Sequence, residues 1–107
     1  MITIIIKYYG ANGAAKRFVN EMLSTGIVDE IRKEEGNIRY EYFLPFDADD
    51  YVLLIDSWKD QSALDKHHSL PLMDKIAGLR EKYDLHMEVE KYTLTSDSGK
   101  DEKFIRK

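Results

Sequence analysis

The sequence predicts an α+β fold, a four-stranded antiparallel sheet with helices on one face, and three observations carry that prediction. Four stretches rich in β-branched and aromatic residues recur along the chain, at 2–9, 38–46, 51–55 and 85–94. Stripes of apolar residues at helical spacing fill the interval between the first and second stretches and that between the third and fourth. Between the second and third lies only a turn-length cluster, Asp47-Ala48-Asp49-Asp50.

Ile2 to Tyr9 alternates poorly, as expected of a strand covered on both faces. Gly10-Ala11-Asn12-Gly13 breaks that run, and Asn12 or Gly13 is placed to cap the first helix. Ala15, Phe18, Val19, Met22 and Leu23 then share one helical face. Thr25-Gly26 interrupts it, Ile27, Val28 and Ile31 continue as a second short piece, and Gly36 sits where a left-handed terminator belongs. Residues 38–46 and Tyr51 to Ile55 read as a hairpin, with Asp56-Ser57-Trp58 closing its second strand. Asp60 or Ser62 caps a second helix carrying Leu64, His67, Leu72, Ile76, Leu79 and Tyr83 on one side, with a kink or restart near Ser69 imposed by Pro71. Residues 85–94 alternate as a fourth strand. The order β-α-β-β-α-β is the ferredoxin-like, split βαβ arrangement. It makes residues 1–95 one domain and leaves 96–107 as a charged tail in which Phe104-Ile105 is the apolar element available for docking.

Two helices cover one face of such a sheet. The other face still carries Ile, Tyr, Val and Leu, more apolar surface than a monomer leaves in water, so a homodimer formed by pairing sheets is expected. The 107 residues suit a single domain, and 43 % hydrophobic residues suffice for a core. No apolar run approaches the roughly 18 residues that span a bilayer, and the opening segment lacks the basic start and cleavage site of a signal peptide. No membrane association is expected. The absence of cysteine excludes thiolate chemistry and disulfides and makes cytoplasm the default compartment. A net charge of −4 argues against nucleic acid as a partner.

His67 is the leading candidate for chemistry. It lies on the stripe expected to face the sheet, nine positions after Trp58, and imidazole can move a proton from a phenol-like group near neutral pH. A buried histidine bonded to a carbonyl is the competing reading. His68 points about 100° away around the helix and is expected at the surface or an interface, so the pair is not a metal chelate. His86, Glu88 and Glu90 share a strand face, which solvation explains, and Asp47, Asp49 and Asp50 lack the glycine and distal glutamate of a calcium loop. Tyr40 and Tyr42 fall on one face of the second strand, Arg39 and Glu41 on the other, and Asp56 and Trp58 share a face of the third. A buried Asp56 needs a partner, for which Arg39 or His67 is a candidate.

Several segments are similar to one known family. Glu34-Glu35-Gly36-Asn37-Ile38-Arg39-Tyr40-Glu41-Tyr42 resembles the E-x-G-x-x-x-Y-E junction of the antibiotic biosynthesis monooxygenases. The stretch from Asp56 to His67, with Trp58, Ala63 and Leu64, resembles their acidic-x-W…A-L-x-x-H segment, and Ser69-Leu70-Pro71 echoes the turn after that histidine. The resemblance spans residues 2 to 94 and implies a dimeric α+β barrel. It implies a cofactor-independent monooxygenase acting on a quinol-like or polycyclic phenolic molecule and dioxygen, with no cofactor and no metal. Carried over by position, His67 is catalytic, and Trp58, Asp56, Tyr42, Arg39 and Lys7 are substrate-binding. The haem-degrading branch has an Asn, a Trp and a His where this chain has Lys7, His67 and Ala77, which argues against haem degradation. Two alternatives remain open: a non-oxidative enzyme, such as an isomerase, acting on a small phosphorylated signal metabolite held by Lys7 and Arg39, and a non-catalytic dimeric binding protein.

Overall fold

The computed structural model describes residues 1–95 and 99–107. Residues 96–98 of the expected tail lie outside the described residues. The elements follow the expected order: β1 (Ile2–Tyr9), α1 (Ala14–Ser24), α2 (Ile27–Arg32), β2 (Asn37–Phe43), β3 (Tyr51–Trp58), α3 (Gln61–His68), α4 (Leu72–Lys82) and β4 (His86–Thr93). The strands form one antiparallel sheet in the order β2-β3-β1-β4, the ferredoxin-like α+β arrangement.

Alternation sorts the side chains of the sheet. Ile4, Ile6 and Tyr8 of β1 and Val52, Leu54, Asp56 and Trp58 of β3 are buried beneath the helices. A one-residue irregularity between Asn37 and Arg39 throws Ile38 out of the ladder and sets Tyr40 opposite Asp56 and Tyr42 opposite Leu54. Phe18, Met22, Val28, Ile31, Leu64 and Ile76 complete the core from the helices. Each such side chain contributes roughly 1.5–3 kcal/mol on burial.

Several local expectations are refined. Strand β2 ends at Phe43 rather than reaching residue 46, because Pro45 has no N–H to offer a ladder, and Phe46 stands fully in solvent. Gly13, one of the two expected caps, occupies the N-cap position of α1 without a side-chain hydrogen bond, and both it and Asn12 take left-handed backbone conformations. Asp60 does cap α3, accepting a hydrogen bond from the Ala63 amide at 2.8 Å. The helix breaks at Ser69–Pro71, and α4 restarts at Leu72. Phe104 and Ile105 are exposed and dock on nothing within the described chain. No helix among the described residues is long and apolar enough to cross a membrane.

Gly36 fixes how α3 lies on the loop before β2. Its φ of +84° is left-handed, and a Cβ there would sit 2.6 Å from the Ala63 Cβ. The Lys59 amide also donates to the Gly36 carbonyl at 2.9 Å. Gly36→Ala is therefore expected to lower stability by about 2 kcal/mol, from backbone strain and overpacking together, and to lower the midpoint of chemical unfolding at an unchanged m-value. A midpoint equal to that of the wild type would mean the α3 contact is not tight.

Candidate functional site

That close contact at Gly36 aligns two further residues. Ala63 and His67 are one turn apart on the same face of α3, while Glu34 precedes Gly36 by two residues in the facing loop. The result is a pair between His67 Nδ1 and both carboxylate oxygens of Glu34, at 3.0 and 2.9 Å. The His67 side chain is 4 % exposed and that of Glu34 15 %. An ionised carboxylate only accepts hydrogen bonds, so Nδ1 carries the proton. Nε2 has no hydrogen-bond partner among the described residues.

Trp58 is fully buried behind this pair. Its ring stacks on His67 with centroids 4.6 Å apart and planes inclined by 30°. Its indole Nε1 donates to Asp56 Oδ1 at 2.7 Å. The partner of the buried Asp56 is thus Trp58, not Arg39 or His67 as expected from sequence. Burial pushes the Asp56 carboxyl up to about 6, with the Trp58 hydrogen bond and the charge of His67 opposing that rise.

Asp56 and His67 open onto a cavity of about 220 Å³ between the sheet and α3–α4. Ile4, Ile6, Leu54, Met73, Ile76 and Met87 give it an apolar lining. Its polar groups are Tyr40, Asp56, His67, His68 and Arg80. His68 is exposed, as expected, yet it borders the cavity with its ring 5.5 Å from that of His67. Burial, and then the neighbouring His67, lower its pKa. Burial raises the phenols of Tyr8, Tyr40 and Tyr42, so all three remain hydroxyls that can donate.

The structure brings His67, Asp56 and Trp58 together, with Tyr42 close behind, its ring set edge-on to that of Tyr40 at 5.8 Å. It does not bring Lys7 or Arg39 to them. Lys7 lies over the Tyr51 ring, 4.4 Å from its centroid, on the face of the sheet away from the helices. Arg39 is on that same face, paired with Glu41 at 3.2 Å in solvent. Lys7 also borders a larger depression of about 450 Å³ on the open face, with Tyr9, Asp50, Tyr51, His86 and Glu88. That depression contains no buried acid–base pair, so the helix-side cavity is the better candidate for chemistry. Among the described residues no three His, Cys, Asp or Glu side chains gather as a cation site.

Two residues of the cavity region were not reached from sequence. Glu34 lies 33 positions from its partner, and no spacing rule links a loop carboxylate to a helix on the far side of a hairpin. Arg80 had a signal. It follows Ile76 by four residues, on the stripe that buries Leu72 and Ile76. A charged residue in that register marks a buried polar contact.

The comparisons with known proteins agree with this fold. No curated protein sequence matches the chain. Among solved structures, a candidate antibiotic biosynthesis monooxygenase from Deinococcus radiodurans superposes with a TM-score of 0.77 at 15 % identity, covering 91 % of this chain and 95 % of that one. SnoaB, a cofactor-independent oxygenase from Streptomyces nogalater, superposes with a TM-score of 0.72 at 16 % identity, over 91 % and 95 % of the two chains. A candidate antibiotic biosynthesis monooxygenase from Nitrosomonas europaea gives 0.74 at 12 % identity, over 90 % and 100 %. Identities this low speak to the fold alone. The family model for antibiotic biosynthesis monooxygenases matches residues 1–78. That span runs from β1 into α4 and contains Glu34, Asp56, Trp58 and His67, and on that match the chain belongs to the antibiotic biosynthesis monooxygenase family.

Proposed function

We propose that this chain is a cofactor-independent monooxygenase that oxidises a quinol-like or phenolic ring held in the helix-side cavity. The observation that carries the reading is the anchoring of His67: Glu34 holds Nδ1–H of a residue that lines the cavity, and Nε2 has no hydrogen-bond partner among the described residues. An imidazole so oriented can accept a hydroxyl proton. The electron-rich ring anion then reduces dioxygen, a C–O bond forms at a ring carbon, and the hydroperoxide loses water to leave a quinone. One oxygen atom enters the product and the other leaves as water. The protein supplies orientation, proton removal and stabilisation of the anion, the last through the Tyr40 hydroxyl and the Arg80 guanidinium.

Oxygen uptake by metal-stripped protein against a panel of hydroquinones and naphthols tests this reading, with an enzyme-free control for autoxidation. Uptake that requires wild-type protein and falls in His67→Ala supports it. Uptake no faster than the control removes it. The phosphorylated-metabolite reading relied on inward Lys7 and Arg39, and both are on the open face. The binding-protein reading called for a filled core beside His67, whereas a cavity lies there. We also take the open face, with Ile5, Leu53 and Ile55 half-buried in the single chain, as the surface through which two copies pair. Light scattering is expected to report a dimer that Ile55→Glu weakens.

A further inference from the structure

We propose that the cavity selects small ring compounds bearing an anionic oxygen, a carboxylate beside the ring, and that Arg80 is the residue that selects them. The inference rests on the reading of this cavity as a substrate site and deepens it.

Arg80 projects from α4 one turn beyond Ile76, and both line the cavity. Its guanidinium is positioned rather than loose. Nη2 donates to the Tyr8 hydroxyl at 3.1 Å, and the guanidinium carbon lies 5.7 Å from the centroid of the Tyr8 ring. Tyr8 is itself fully buried. Nε, by contrast, is buried with no hydrogen-bond partner. Among the described residues no carboxylate lies within ion-pair distance of Arg80. A guanidinium carries five N–H donors arranged to meet a carboxylate with two parallel bonds. Leaving such a group half-buried, with one donor unmet and no carboxylate at ion-pair distance, is unfavourable unless something else supplies the acceptor.

The rest of the cavity does not supply it. Asp56 is the one carboxylate among the described lining residues; Trp58 engages its Oδ1, and its charge and that of Arg80 act on each other from beyond ion-pair distance. Arg80 is the one lysine or arginine among them. The remaining lining is mostly aliphatic and thioether, which suits a ring. The volume of about 220 Å³ falls below the range of roughly 300–1,000 Å³ usual for drug-sized ligands, so the occupant has one or two rings. A ring against Ile4, Ile6 and Met73 with its carboxylate on Arg80 supplies the acceptor that the guanidinium lacks.

The test compares binding of 2-naphthoate and its neutral, size-matched analogue 2-naphthamide by isothermal titration calorimetry. Neither is a quinol or phenol, so the readout does not depend on turnover. Wild type is expected to bind the carboxylate at least tenfold more tightly than the amide. Arg80→Gln is expected to bring the two within twofold, and Arg80→Met, which keeps the aliphatic stem, to do the same should the glutamine variant not fold. Arg80→Lys retains the charge without the planar fork and is expected to keep part of the preference. Equal binding of the two ligands by wild type, no binding of either, or a preference that survives in both Arg80→Gln and Arg80→Met would overturn the proposal. A preference lost with Arg80 in a protein that consumes no oxygen would uphold it while removing the oxygenase reading.

Discussion

Replacing His67 by alanine is expected to lower kcat/KM for oxygen uptake by about 10²–10⁴, the usual contribution of a positioned general base. The size follows from geometry. The imidazole lines the cavity with Nδ1 anchored by Glu34 and Nε2 without a hydrogen-bond partner among the described residues. The loss should fall mainly on kcat, because ring packing against Ile4, Ile6 and Met73 is untouched. Alanine also leaves the Glu34 carboxylate without its partner and Trp58 without its stacking neighbour, so far-UV circular dichroism must accompany the kinetics. Glu34→Gln separates orientation from charge. Its amide oxygen can still accept from Nδ1–H, which preserves the tautomer, but the negative charge that stabilises the imidazolium is gone. A loss of about tenfold in kcat/KM is expected, smaller than that of His67→Ala because the ring keeps its orientation. Full activity in His67→Ala would remove the histidine from the mechanism.

Asp56→Asn is expected to stabilise the protein at alkaline pH, although it removes a charged group from the site. The Asp56 carboxyl is raised from 3.8 to about 6 by burial, so the folded state holds its proton over a range in which the unfolded chain has released it. Between pH 4 and 6, about the limits set by those two values, the folded state binds more protons. Stability contributed by this group therefore falls as pH rises through that window. Above it, folding carries the full cost of an ionised buried carboxylate, about 3 kcal/mol for a shift of this size. Asparagine retains a carbonyl oxygen that can accept from the Trp58 indole at the position of Asp56 Oδ1. The gain over wild type should approach that figure at pH 8 and vanish near pH 4, measured by urea unfolding at matched ionic strength. Glu21 titrates in the opposite sense. Lys82 and Tyr83 hold Glu21 below its ordinary value, so the wild-type curve alone mixes the two signs. The difference between variant and wild type isolates Asp56. A variant less stable than wild type at pH 8 would show that the carboxylate is favourably solvated in the folded state.

The sequence by itself determined the order of elements, the breaks at Thr25–Gly26 and Ser69–Pro71, and the proximity of Trp58 to Asp56 and His67. Each of these depends on local physics. Strand and helix periods are written in neighbouring residues, proline and glycine act where they stand, and Asp56, Trp58 and His67 follow a strand, a tight turn and two turns of helix. Alternation alone also separates Arg39 from Tyr40 and Tyr42. It failed for Lys7, because β1 is apolar at nearly every position and gives no parity by which to choose a face. The extent of β2 failed for a similar reason: Leu44 and Phe46 are apolar enough to continue a strand, and the Pro45 between them, which has no N–H for a ladder, outweighs that pattern.

Tertiary structure alone decided which groups meet across the chain. Glu34 reaches His67 because Gly36 has no side chain to hold Ala63 away, a contact between segments separated by a whole hairpin. Arg80 meets Tyr8 across 72 residues. Whether a carboxylate or guanidinium is paired, and whether a cavity remains beside it, depends on how the faces close. Side-chain volume and chain reversal fix that closure, and neither is visible as a pattern in neighbouring residues.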